Sequence, residues 1–407
     1  MEKSALIAII AVVIIVAAGG IGYTVMNKDK DGDSSPGEVT DALGRNIMIP
    51  ENLDNGIVTV GSTGPLRFAS MFDVRDKVIE VDKGDITDNR NGRAYSYAYD
   101  YYKMDESTQS HADNKLETAT AEAIGNKGPS LVITSVGVWN NYAYNFETLA
   151  KKCTVVVIKD QQMQYMTGDD GKLADFMTFN INLLGKVLKK ESRAEELING
   201  INNILSDIYS LKGASNQAIY VAGVTISGSN ALNTTFPVYM PFGLTGSKNA
   251  YTGTSTESKV VLNVEDFANM DIDMIIVDPS SSDKINGNID SQNVLKRIYT
   301  LNNDEDLTND IPIYITVPIV WDSINYDCSL ASAYYVAYLN YGTLTLEQVE
   351  EKINGIFTTF YGDHGTNVFN DMKQFFVEKS SNNGQEMPVL GEVVIQEDAG
   401  VYRFVAA

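Results

Sequence analysis

Two carboxylates and a set of aromatic rings hold most of the chemistry this sequence offers. Glu122 lies on a helix-like run leading into the apolar strand Leu131-Val132-Ile133-Thr134, and Glu265 on another leading into Met274-Ile275-Ile276-Val277. The offset from glutamate to strand is the same, since 131 − 122 equals 274 − 265. One carboxylate in each half of the chain is too wide a separation for general acid–base work on a single bond, which needs the two groups within about 10 Å. The spacing gives each half one equivalent carboxylate.

The aromatic candidates are Tyr97, Tyr99, Trp139, Tyr142, Tyr239, Phe242 and Trp321. Tyrosine offers a flat apolar body with a hydroxyl at its tip, a surface on which an organic ligand can stack. Ligands of open α/β sheets bind beyond the carboxyl ends of the strands. The two tryptophans follow predicted strands there, one in each half. Core packing accounts for most tryptophans, so both readings of Trp139 and Trp321 stay open. The run YSYAYDYY, from Tyr95 to Tyr102, places a tyrosine at every second position, and strand periodicity would put Tyr95, Tyr97, Tyr99 and Tyr101 on one face. That face is either a tyrosine-rich surface or the aromatic wall of a cleft. Tyr239 and Phe242 belong to a proline-broken loop from Thr234 to Gly243. Arg67 opens a helix after Gly64-Pro65, where it either meets an anionic ligand group or pairs with a carboxylate.

The elements that must position these residues alternate between strand and helix. Glu38 to Ile49 reads as a β-hairpin, Ile57-Val58-Thr59-Val60 as a buried strand, and Gly61-Ser62-Thr63-Gly64-Pro65 as the turn into a helix near Leu66, with Val78-Ile79-Glu80-Val81 as the next strand. Strands follow at Thr154 to Ile158, Ala218 to Val221 and Ile313 to Val317, with closing helices at Leu330 to Tyr341 and Leu346 to Tyr361. Between the halves, Asp175 to Leu211 repeats apolar residues at helical spacing with no proline, which predicts one lobe-spanning strut. The fold class expected is α/β: two Rossmann-like lobes joined by one long backbone helix. Its divisions are residues 1–26 as membrane anchor or signal sequence, 27–37 as linker, 38–174 as the N-terminal lobe, 175–212 as the helix and 213–407 as the C-terminal lobe.

A length of 407 residues fits two domains, and 44% hydrophobic with 21% charged residues is a globular composition. A formal net charge of −22 without a basic cluster excludes nucleic acid as the expected partner. From Ala5 to Met26 the chain carries no charge, enough to cross a bilayer core of about 30 Å as a helix. Ala17, Ala18, Gly19 and Gly20 would permit signal cleavage, but the apolar run continues past them, which favours a retained N-terminal transmembrane helix with the rest of the chain extracytoplasmic. Cys153 and Cys328 are read as two buried free thiols, since a bridge between them would staple the lobes. With His111 and His364 the only histidines, no histidine-built metal site and no resident cofactor are expected.

Thr40-Asp41-Ala42-Leu43-Gly44-Arg45, the Pro50-containing run into Ile57-Val58, Asp76-Lys77-Val78-Ile79, Leu184-Gly185-Lys186-Val187 and Arg193-Ala194-Glu195-Glu196-Leu197 together resemble the substrate-binding proteins of iron-complex and cobalamin ABC importers, the class III or helical-backbone group. An apolar N-terminus without a lipid-bearing cysteine looks more like an archaeal member than a bacterial lipoprotein. The resemblance implies a cleft between the lobes and small closure. It implies as ligand a metal chelate carried intact, whether ferric siderophore, haem or a corrinoid. As partner it implies a permease dimer with ATPase subunits, onto whose arginines Glu122 and Glu265 would dock. The long insert between Asp82 and Ser110 and the tyrosine richness depart from the family pattern. Two other classes compete: a surface enzyme on a similar scaffold, and a sensory or adhesion module. No Gly-x-Ser-x-Gly elbow with a partnered histidine, cysteine cluster or P-loop lysine supports the enzyme.

Overall fold

The computed structural model describes residues 37–407 apart from 63, 87–89, 111, 161–165, 169, 224–230, 256–258, 304–309 and 322, with backbone alone at 268 and 321. The apolar run at residues 5–26, expected to be an anchor or signal, lies outside the described residues. Among those described, no helix is long and apolar enough to cross a membrane.

The first half opens with the expected hairpin, β1 (Glu38–Thr40) against β2 (Asn46–Met48). A four-stranded parallel sheet follows, made of β3 (Ile57–Thr59), β4 (Val78–Glu80), β5 (Leu131–Ser135) and β6 (Thr154–Ile158) in the order β4-β3-β5-β6. Its helices are α1 (Pro65–Ser70), α2 (Lys83–Ile86), α3 (Ala94–Tyr99), α4 (Thr118–Lys127), α5 (Val136–Asn141) and α6 (Ala143–Leu149). Strands covered on both faces read as near-continuous apolar runs. Alternation still sorts their side chains. Ile57, Leu131, Ile133, Val156 and Ile158 enter one large core, while Val58, Val132, Val155 and Val157 enter a small core behind the sheet.

The second half repeats the plan. Its sheet has the order β16-β15-β12-β11-β7-β9, built from β7 (Ala218–Ala222), β9 (Lys248–Asn249), β11 (Met274–Val277), β12 (Ile313–Ile315), β15 (Glu392–Asp398) and β16 (Val401–Ala406). The first four are parallel and the last two antiparallel. Two-stranded ribbons pair β8 (Thr234–Thr235) with β10 (Val260–Val261), and β13 (Val320–Trp321) with β14 (Ser323–Ile324). In chain order the parallel strands of both sheets run 2-1-3-4, so β5 and β11 are equivalent third strands. Ile219, Val221, Met274 and Ile276 join the same large core as the first sheet, and Tyr220, Ile275 and Val277 pack a separate one.

The single strut expected at residues 175–211 is two helices, α7 (Asp175–Val187) and α8 (Glu191–Ser210). The break falls where Lys189 takes a left-handed φ of 56°, and the Lys190 N–H closes onto the Gly185 carbonyl at 2.7 Å. Gly185 is needed there because a Cβ would lie 2.6 Å from the Cβ of Ala194. Apolar periodicity runs through the break because each helix carries its own buried stripe, and no proline or glycine marks the turn. α7 packs on β1 and α1, and α8 on α9 (Met240–Thr245), α12 (Tyr326–Tyr341) and α13 (Leu346–Tyr361). The remaining helices are α10 (Val264–Ala268), α11 (Ile289–Asn302) and α14 (Val368–Asn382).

The tyrosine run is the second correction. It is helix α3, capped by Asp100 at a left-handed φ of 52°, followed by a 3-10 turn at Tyr101–Lys103. Residues two apart on a helix point in nearly opposite directions. Tyr95, Tyr97, Tyr99 and Tyr101 are therefore not one wall, and all four are buried because α3 is enclosed on every side.

Candidate functional site

The carboxyl ends of the two sheets meet through α3 and the turns around it. β3 runs into Gly61, whose φ of +108° favours glycine. The buried carboxylate of Asp82, just past β4, accepts the Gly61 N–H at 2.9 Å, the Asn114 N–H at 2.9 Å and the Gly84 N–H at 3.2 Å. Burial outweighs these donors and pushes the Asp82 carboxyl up to about 6.

Asp85 and Arg93 form a fully buried ion pair at 3.6 Å. The Tyr95 hydroxyl donates to Asp85 Oδ1 at 2.7 Å, and Arg93 Nη1 donates to the Gly84 carbonyl at 2.6 Å. Burial raises the Asp85 carboxyl to about 7, with Arg93 pulling the other way, and its Oδ2 has no hydrogen-bond partner among the described residues. Arg67 is buried as well. Its Nη1 donates to the Ile324 carbonyl of the second half at 3.3 Å, and its guanidinium sits 5.8 Å from the Tyr95 ring centroid.

From the second half, Asp327 accepts the Tyr361 hydroxyl at 2.5 Å and the Cys328 N–H at 2.8 Å. Asp278, at the end of β11, accepts from Ser280 N–H at 2.9 Å, from the Ser280 hydroxyl and from Ile319 N–H at 3.3 Å. Burial raises both carboxyls and lowers the Lys379 ammonium. Lys379 donates to Asn91 Oδ1 at 2.9 Å and to the Ser280 carbonyl at 3.1 Å. The seam thus gathers four buried carboxyls and two buried guanidiniums, with one half-buried ammonium at its side. A buried charge of this kind persists only when paired, and truncating one partner is far more costly than the net worth of the pair.

The residues singled out from the sequence scatter around this seam. Tyr97 donates to the Asn91 carbonyl at 3.2 Å and stands edge-on to Phe375, while Tyr99 donates to the Tyr361 carbonyl at 3.4 Å. Trp139 is not a loop residue but lies on α5, packed in the small core behind the first sheet. It stacks on Phe146 at 5.1 Å, with the Arg45 guanidinium 4.0 Å over its ring. Tyr142 is half-buried at the α5–α6 junction. Tyr239 and Phe242 are buried against α12. Their rings meet edge to face at 4.8 Å, and the Tyr239 hydroxyl shares a hydrogen bond with Ser332 at 2.9 Å. The Trp321 side chain lies outside the described residues.

Glu122 on α4 and Glu265 on α10 are both exposed, each on the helix preceding the third strand of its sheet. Arg193 ties the halves by donating to the Met71 carbonyl at 3.1 Å and to the Thr359 carbonyl at 2.7 Å. Sequence reasoning missed Asp82, Asp85, Arg93, Asp278, Asp327 and Lys379 as site residues. The one usable signal was a Val-Asp pair closing two apolar strands, Val81-Asp82 and Val277-Asp278. Among the described residues no group of three or more His, Cys, Asp or Glu side chains converges to hold a metal. Cys153 and Cys328 are free thiols, Cys153 only half-buried, and burial pushes Cys153 up to about 11.

No protein-family model matches the sequence, and no curated protein matches it. Solved structures do. The molybdate periplasmic binding protein MolA of Haemophilus influenzae is 15% identical over 80% of this chain and 97% of its own, with a TM-score of 0.56. A periplasmic solute binding protein of Veillonella parvula is 18% identical over 81% and 95%, with a TM-score of 0.51. An ABC transporter solute binding protein of Sulfurospirillum deleyianum is 16% identical over 81% and 96%, with a TM-score of 0.50. The chain has the mixed α/β fold of the periplasmic solute-binding proteins.

Proposed function

We propose that this chain is the extracytoplasmic substrate-binding component of an ABC importer. It captures an iron(III) chelate, siderophore or haem, or a corrinoid between its two halves and delivers it to a permease dimer with ATPase subunits. The apolar run at residues 5–26 would tether it to the membrane. The observation that carries the reading is the repeated 2-1-3-4 sheet, in which a surface glutamate precedes the third strand both times. A partner with two-fold symmetry presents the same basic surface twice, and two equivalent carboxylates suit it. Rim charges of this sort set encounter and register more than affinity.

The test is the double variant Glu122→Arg, Glu265→Arg, reconstituted with its permease and ATPase in proteoliposomes. Melting temperature and ligand affinity are expected to stay within error of wild type. Stimulation of ATP hydrolysis is expected to fall at least tenfold, because like charges then face each other across the contact. Undiminished stimulation would remove the two glutamates from the docking role.

A further inference from the structure

Residues 90–104 do more than fill space: they leave the first half and fasten to four separate elements of the second. Gly92 lies so close to the β12–β13 connection that a Cβ would come within 2.5 Å of the Pro318 carbonyl oxygen, and the Cys328 thiol donates to the Gly92 carbonyl at 3.1 Å. Asn91 takes the Lys379 ammonium of α14. The Arg90 guanidinium sits 4.7 Å from the Phe375 ring centroid, also on α14, and Tyr97 stands edge-on to the same ring at 5.9 Å. Tyr99 packs on Tyr361 and His364 at the end of α13, with centroid distances of 6.1 and 4.8 Å.

The other side of the segment is fixed at home. Tyr95 is bonded to Asp85, Tyr101 accepts from the Ser70 hydroxyl at 3.2 Å, and Arg75 Nε donates to the Tyr99 carbonyl at 3.0 Å. Its hold on the second half therefore rests on ring contacts, one ammonium, one thiol, one tyrosine hydroxyl and a backbone approach that glycine alone permits. Its hold on the first half includes a buried ion pair. The two attachments are unequal, so a separation of the halves should break the second and keep the first.

We propose that residues 90–104 are a strap that locks the two halves together, staying with the first half and letting go of α12, α13, α14 and the Pro318 turn when they part. Under the importer function proposed above, the strap gates the ligand, since a chelate enters between the halves only after release. The lock itself does not depend on that function, and it is tested without ligand so that the two can fail separately.

The experiment is hydrogen exchange by mass spectrometry on the full-length chain, comparing wild type with Gly92→Leu, whose side chain cannot fit against Pro318. Exchange in α3 and in the α13 and α14 segments it covers is expected to rise at least tenfold, with β5 and β11 unchanged. Lys379→Gln removes the ammonium tie to Asn91 without a clash and serves if the leucine variant does not fold, with a rise of about threefold expected at the same places. Unchanged exchange in α3, or an equal rise in β5 and β11, would overturn the strap.

Discussion

Arg93→Ala is expected to lower the unfolding free energy by about 3–5 kcal/mol at pH 8, the usual cost of stripping one partner from a buried pair. The loss should be clearly smaller at pH 5. Asp85 is the reason: its carboxyl, ordinarily near 3.8, is raised to about 7 by burial against the pull of Arg93. Between those two values the folded chain holds a proton that the unfolded chain has released. Through this group, stability is fully present below pH 3.8 and falls as pH rises towards 7. Asp82, raised to about 6, acts in the same direction over a narrower window. At pH 5 the partner of Arg93 is already neutral, so deleting the guanidinium strands no anion. At pH 8 the carboxyl loses the partner that kept it charged and must either stay an unpaired anion or take up a proton, and both cost stability. Urea titrations at the two pH values measure both losses. A cost below about 1 kcal/mol at pH 8, or one that ignores pH, would mean that the pair is hydrated and not a tie.

Trp139→Ala should cost about 3–5 kcal/mol, in line with deleting a large buried aromatic. It should leave ligand affinity unaltered. The ring is nearly parallel to Phe146, at 17°, and is roofed by Arg45, which also bonds Asp41 and the Val155 carbonyl, the latter at 3.1 Å. Removing the indole opens a void behind the sheet and leaves Arg45 without its aromatic floor. Chemical denaturation supplies the first number and calorimetric titration the second. Weakened binding at unchanged stability would return Trp139 to the cleft.

Local features are legible in the sequence, and assembly is not. β5, β6 and β11 and helix α13 occupy the positions their apolar runs indicate, and the matched offset of Glu122 and Glu265 corresponds to equivalent third strands. Periodicity misleads in two places. The break between α7 and α8 turns on a lysine in left-handed backbone, a conformation that its side chain does not announce. The alternating tyrosines imitate a strand, whereas a helix enclosed on all sides buries every tyrosine whatever its phase. The buried charges are invisible for another reason: Asp85 and Arg93 read as surface residues until tertiary packing covers them. The C-terminal ribbon of β15 and β16 turns at Ala399-Gly400 with φ of 50° and 84°. Most of β15 faces solvent, so its apolar signal is weak and the turn dipeptide is the better marker.

Calorimetric titration of the full-length chain with a panel of ferric siderophores, haemin and cobalamin tests the importer assignment most directly. One member of the panel is expected to bind saturably at one molecule per chain, and to bind the Glu122→Arg, Glu265→Arg variant equally well. Failure of every chelate in the panel to bind would contradict ligand capture.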